Sequence, residues 1–218
     1  MRSWFALGSS KTGRVLKKAR KLGADIIFID EFGYSFAEDL APTWAPRGQT
    51  PILKRVTKFR REISTFAGLS ISGTIYKRHV KGSIKSPDVI AGLQQIRRQL
   101  QRPFILIWDR SRVHRSQLVQ AYLADHPDIV MEYLPPYAPE LNPEEYCHGT
   151  VKHRLKNLNP DDVTLIRQQL DKEFAKLQKQ PDVLLSFFHY AGLSLKQLWW
   201  TSIVGAYLLY TLLKAEDF

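Results

Sequence analysis

Cysteine is nearly absent from this chain: Cys147 stands alone among 218 residues. A single thiol excludes an internal disulfide and fits a reducing compartment such as the cytoplasm, and no Cys/His grouping has the spacing of a zinc site. Long apolar runs are scarce too. "WFAL" at 4–7 is too short for a secretory core, and the uncharged stretch Leu198–Leu213 has sixteen residues where about 20 are needed to cross a bilayer. That stretch is expected as a buried or partner-facing helix, with no membrane as partner. Internal repeats and low-complexity segments are missing, as is any acidic residue before Gly23.

Positive charge is what the chain has in excess, with 32 Lys+Arg against 21 Asp+Glu for a net charge of +11. The cations are grouped: Arg2, Lys11, Arg14, Lys17, Lys18, Arg20 and Lys21, then Lys54, Arg55, Lys58, Arg60 and Arg61, then Lys77, Arg78, Lys81 and Lys85. Clusters of this kind neutralise phosphates and release counterions, so a nucleic acid is the expected partner. The length suits one main domain with a helical appendage.

"GADIIFIDEF" (23–32) reads as a buried strand, short, apolar and β-branched, that ends in Asp30 and Glu31. Pro42, Pro46 and Gly48 make 33–50 a long loop. "REISTFAGLSISG" and "TIYKRHV" (61–80) follow as a hairpin around Ser72-Gly73. Ser86-Pro87-Asp88 opens a helix that Pro103 stops, and "FILIWD" (104–109) is a second buried strand ending in an aspartate. A helix over 114–126, a strand over 129–134, a helix from about Pro143 and an amphipathic helix over 161–180 complete the order. The last carries Val163, Leu165, Ile166, Leu170, Phe174 and Leu177 at helical intervals. A meander followed by alternating helices and strands predicts an α/β fold, a mixed central sheet flanked by helices, with extra C-terminal helices.

Asp30, Asp109 and the Glu144/Glu145 pair fall at two strand ends and one helix start. Such ends gather ligand sites in open α/β sheets. Taken singly, each is an ordinary strand-end or helix-start acid. Taken together in a basic chain, they point to divalent cations, because crowded carboxylates repel unless metal lies between them. Mg²⁺ and Mn²⁺ prefer oxygen ligands, and two ions about 3.5–4 Å apart serve phosphoryl transfer.

"FIDE" (28–31), "TWAPRGQTP" (43–51), "ILIWDRSRVHRS" (105–116) and "PPYAPELNPEEY" (135–146) together resemble the catalytic domain of DDE transposases of the mariner-like superfamily, in particular its bacterial insertion-sequence members. The resemblance runs from about Gly23 to Lys156, and the last motif is the most specific. Thirty-five residues separate Asp109 from Glu145, close to the short spacing of that superfamily. The resemblance implies an RNase H-like fold, two Mg²⁺ or Mn²⁺ ions, and DNA cleavage followed by strand transfer. Asp30, Asp109 and Glu145 correspond to the catalytic, metal-binding acids, while Glu144 takes the variable position and Glu31 a frequent second acid that is not a ligand.

DNA contacts are expected from Trp44, Arg55, Arg60, Arg61, Arg110, Arg112, His114 and Lys152. Trp44 and Gly48 match a Trp-x-x-x-Gly pattern, in which the Trp stacks on DNA or a partner subunit or simply packs the loop on the sheet, and His114 matches a frequent histidine that touches DNA, orders the site or is a hydrogen-bonded structural residue. Arg110 stands where the family commonly has Asn and puts a cation beside a ligand. Only 29 residues precede Asp30, where complete members usually carry helix-turn-helix modules. The expected division is a basic N-terminal segment (1–22), a catalytic domain (23–160) and a helical extension (161–218). Double-stranded DNA, as element ends and as target, is the expected partner, with a homodimer and a separate helix-turn-helix protein as further candidates. The setting would be a bacterial cytoplasm, at the nucleoid. A catalytically decayed DNA-binding remnant and an RNase H-like nuclease acting on other nucleic acids are the competing readings.

Overall fold

A strand buried on both faces must be apolar at every position, whereas one with a single buried face alternates. The first pattern occurs at the centre of the computed structural model, which describes residues 9–35, 44–49, 61–156 and 162–193. In β1 (Asp25–Ser35), Ile26 and Phe28 enter one core while Ile27 and Ile29 enter the other. β4 (Phe104–Trp108) is wholly buried and divides its residues the same way.

β2 (Arg61–Ser70) and β3 (Ile75–Lys81) form the expected hairpin on β1, all antiparallel. Gly73 takes the turn at φ 79, a conformation open to glycine at no steric cost. β4 pairs parallel to β1, and β5 (Ile129–Tyr133) parallel to β4, so the sheet order is β3-β2-β1-β4-β5. This is the mixed α/β sheet flanked by helices that the sequence predicts.

Helices α2 (Ser86–Leu100) and α3 (Gln117–Ala124) cover one face, burying Val89, Leu93, Ile96 and Val119 against Phe66, Leu106 and Trp108. On the other face lie α1 (Ser9–Leu22), α4 (Pro143–Arg154), α5 (Val163–Gln178) and α6 (Pro181–Tyr190). Val15 and Ala19 of α1, and Phe174 and Phe188 of α5 and α6, join the same core as Phe28 and Ile107. The N-terminal and C-terminal helices thus share one core with the sheet.

Four local differences have physical causes. The N-cap of α2 is Lys85 rather than Ser86, and Asp88 Oδ2 accepts from the Lys85 backbone N–H at 2.9 Å. α3 begins three residues later than 114 because His114 is turned inward; Ser116 caps the helix by accepting from Val119 N–H. β1 runs on to Ser35 because β2 keeps pairing with it past Phe32. Leu165 faces out, 43% exposed, while Ile166, Leu170, Phe174 and Leu177 are buried. Leu198–Leu213 and half of the loop over 33–50 lie outside the described residues, among which no helix is long and apolar enough to cross a membrane.

Candidate active site

The chain brakes hard at "YLPPYAPELNPEEY" because α4 has to start at a fixed place over the sheet. After β5, Leu134 N–H still bonds Trp108 O at 2.8 Å. Three prolines then restrict the path, and a short 3₁₀ turn, Pro139–Leu141, delivers Asn142. Buried Asn142 works in both directions. Its Oδ1 accepts from Glu144 N–H at 3.2 Å and caps α4, while its Nδ2 donates to Ile29 O at 3.2 Å and Asp30 Oδ2 at 3.4 Å. The cap that starts the helix therefore also ties it to the end of β1.

This junction forms one wall of a cleft of about 420 Å³. Asp30 reaches it from β1, Asp109 from the residue after β4, and Glu145 from the first turn of α4, with Arg110, Tyr137 and Asn142 also on its lining. The three acids singled out in the sequence thus meet in one place. Glu144, one residue away, is fully buried, with Oε2 bonded to His148 Nδ1 at 2.7 Å.

The electrostatics follow from burial and crowding. Asp30 is pushed up to about 9, first by burial and then by the charges of Glu144 and Glu145, and its carboxyl shares a hydrogen bond with Glu145. Glu145 is lowered, chiefly by its bond from His148, and Asp109 is lowered by its bond from His114. Burial lowers both histidines, but their carboxylate partners outweigh it and bring His114 to about 9 and His148 to about 10. Burial raises Glu144, and its Oε1 is buried with no hydrogen-bond partner among the described residues. Asp30, Glu144 and His148 each offer a ligand atom within 4.8 Å of the others.

The three carboxylates on the cleft, Asp30, Asp109 and Glu145, fit a hard divalent cation. All their donors are oxygen, and burial together with the charges of Glu144 and Glu145 makes Asp30 keep its proton where no cation offsets them.

The expected DNA contacts divide. Trp44 is fully exposed, beside Gly48 at φ 82. Arg110 and Arg112 are exposed in the turn after β4, and the Arg110 guanidinium lies 5.5 Å from the Tyr133 ring centroid. Lys152 is half-buried on α4. Arg61 opens β2 but its side chain, like all of Arg55 and Arg60, lies outside the described residues. His114 departs from the expectation of a DNA contact: it has no exposed surface, and its ring is taken up by Asp109 and Glu31.

Sequence reasoning missed His148 and Tyr137. His148 carries a readable signal, standing three residues after Glu145 and four after Glu144, a spacing that puts all three on one helical flank. Tyr137 is 97% exposed at φ 54, a left-handed conformation uncommon for a non-glycine residue; no period or spacing marks it.

The model of the DDE superfamily endonuclease family matches residues 25–166, about two thirds of the chain. The chain belongs to this family. The DDE domain also shares its RNase H-like fold with solved mariner transposase structures. A pre-cleavage Mos1 transpososome aligns at TM-score 0.58 and 17% identity over 85% of this chain and 61% of that one. A Mos1 mariner paired-end complex with Mn aligns at 0.57 and 17%, over 84% and 60%, and a Mos1 strand transfer complex at 0.53 and 19%, over 84% and 59%. The chain thus spans about three fifths of the length of these relatives. No curated protein matches it.

Proposed function

We propose that this chain is the catalytic domain of a transposase, performing metal-dependent DNA strand cleavage and strand transfer at the ends of an insertion sequence. The observation that carries the reading is the meeting of Asp30, Asp109 and Glu145 in one cleft from three separate elements of a DDE fold. The three carboxylates would hold two Mg²⁺ or Mn²⁺ ions; the similar Mos1 complexes include one described with Mn and one with Mg. Bound there, such ions supply activation of a water or a 3′-hydroxyl and stabilisation of the leaving oxygen.

The chain's own residues do the remaining work. Asp30 would have to lose its proton to hold an ion, because burial and the charges of Glu144 and Glu145 raise its affinity for that proton. Asn142 keeps Asp30 and the start of α4 in register. Arg110 and Arg112, exposed beside Asp109, are placed to meet backbone phosphates, and Tyr137 offers a stacking face at the rim. Arg110 has the Tyr133 ring as a neighbour, which gives its charge a seat other than the metal ligands and weakens the case for a decayed copy. Double-stranded DNA is the substrate on this reading. A second copy and a helix-turn-helix protein remain the candidate partners for end recognition.

The test is cleavage of labelled element-end duplex in Mg²⁺ or Mn²⁺, with and without a helix-turn-helix partner. Asp30→Asn, Asp109→Asn and Glu145→Gln are each expected to lose cleavage while keeping DNA binding. Metal-dependent nicking that persists in all three would refute the assignment, and preferential cutting of RNA–DNA hybrid or branched substrates would favour a nuclease of the same fold.

A further inference from the structure

Two imidazoles, His114 fully buried and His148 12% exposed, stand behind the cleft in matching arrangements. His114 Nδ1 lies 2.8 Å from Asp109 Oδ1 and 3.2 Å from the Asp109 backbone O, and its Nε2 lies 2.7 Å from Glu31 Oε1. His148 directs Nδ1 to Glu144 Oε2 at 2.7 Å and Nε2 to Glu145 Oε2 at 3.1 Å. Each ring therefore joins one carboxylate that lines the cleft to one that does not. Each ring also lies on an aromatic: His114 on Trp108, with centroids 3.8 Å apart at 8°, and His148 on Phe32, 4.9 Å apart at 22°. Stacking fixes the plane of a ring, and the plane fixes the directions of its two N–H bonds.

The acids so held need holding. The side chains of Asp109 and Glu145 are 58% and 37% exposed, and Asp109 stands just past the end of β4, outside the sheet ladder. Left alone, side chains this exposed sample several rotamers. Glu31 and Glu144 are better anchored, at 19% and 0% exposure. For Asp109, the His114 bond and a bond from Ser111 N–H at 2.9 Å both fall on Oδ1.

We propose that His114 and His148 are positioning residues that aim Asp109 and Glu145 into the cleft, with Glu31 and Glu144 as their less exposed anchors. This rests on the reading of Asp109 and Glu145 as metal ligands. It assigns His148 the part of an outer partner of the site, although its ring falls within 4.8 Å of Asp30 and Glu144 ligand atoms. Both of its nitrogens already lie against carboxylate oxygens, Nδ1 on Glu144 and Nε2 on Glu145, and these oxygens occupy the directions in which the ring would meet a metal. Outer partners of this kind change metal affinity by about 10–100-fold when removed.

The test is Mn²⁺ binding, followed by the electron paramagnetic resonance of free Mn²⁺, for the full chain and its variants, with circular dichroism as the check on folding. His114→Ala and His148→Ala are each expected to weaken Mn²⁺ binding by about tenfold or more, and His148→Gln to recover part of the loss because its amide can still donate to Glu145. Should the alanine variants fail to fold, Glu31→Gln and Glu144→Gln keep the shape of the anchors and are expected to weaken binding in the same direction. Folded variants, alanine or glutamine, that bind Mn²⁺ as the parent does would overturn the proposal. Nitrogen modulation of bound Mn²⁺ in pulsed spectra of the parent would also overturn it, since a histidine would then be a ligand. A parent chain that binds no Mn²⁺ while its folded state is intact would instead remove the metal reading on which the proposal stands.

Discussion

Glu144 has no exposed surface and gives one oxygen to His148, whereas Glu145 is about a third exposed and lines the cleft. Two neighbours in sequence therefore fail in different ways when changed. Glu145→Gln is expected to remove cleavage with little change in melting temperature. Glu144→Ala is expected to cost stability, about 3–5 kcal/mol, because it strips a buried ion pair of one partner; urea unfolding beside a cleavage assay separates the two. Asp30 adds a pH dependence. Its ordinary value of 3.8 becomes about 9, from burial first and then from Glu144 and Glu145. Between those values the folded protein holds a proton that the unfolded chain has released, so this contribution to stability is full below about pH 4 and lost as pH rises through about 9. Metal must displace the same proton, so the rise in Tm on adding Mg²⁺ is expected to be larger near pH 8.5 than near pH 6. An equal rise at both would show that Asp30 does not hold the metal.

At the scale of elements, the site depends on how α4 is started and how α2 is seated. Asn142→Ala removes the cap of α4 together with its tie to Ile29 O and Asp30. The expected loss is about 0.5–2 kcal/mol, accompanied by a fall in metal affinity that a cap acting on the helix alone would not cause. Gly92 of α2 sits against the Phe66 ring, and a Cβ built there would lie 2.5 Å from it. Phe66 is itself buried, so it has little room to give. Gly92→Ala is expected to destabilise by about 1–3 kcal/mol, despite the better helix propensity of alanine, and denaturant melts read this directly. These elements also show what the sequence made legible. The strands were readable because β1 and β4 are short apolar runs that end in acids, and α4 because Asn142-Pro143 is a strong start signal. The late start of α3 was not readable, because the periodicity of "HRSQLVQAYLADH" continues through a histidine whose partners, Asp109 and Glu31, meet it only in three dimensions.

At the scale of the whole molecule, a basic chain has gathered its acids at one cleft in a sheet closed on both faces by helices. The convergence of Asp30, Asp109 and Glu145 could be anticipated from strand ends and motif spacing. The depth of Glu144, the two histidine bridges and the exposure of Tyr137 could not, since burial and ring stacking leave no mark in linear order. The central claim is that these three carboxylates, and not the Glu144–His148 pair, hold the metal. Diffraction from crystals soaked in Mn²⁺, recorded for its anomalous signal, tests it most directly. Anomalous density is expected in the cleft bounded by Asp30, Asp109 and Glu145. Density coordinated by Glu144 and His148, with none touching Asp109 and Glu145, would contradict it.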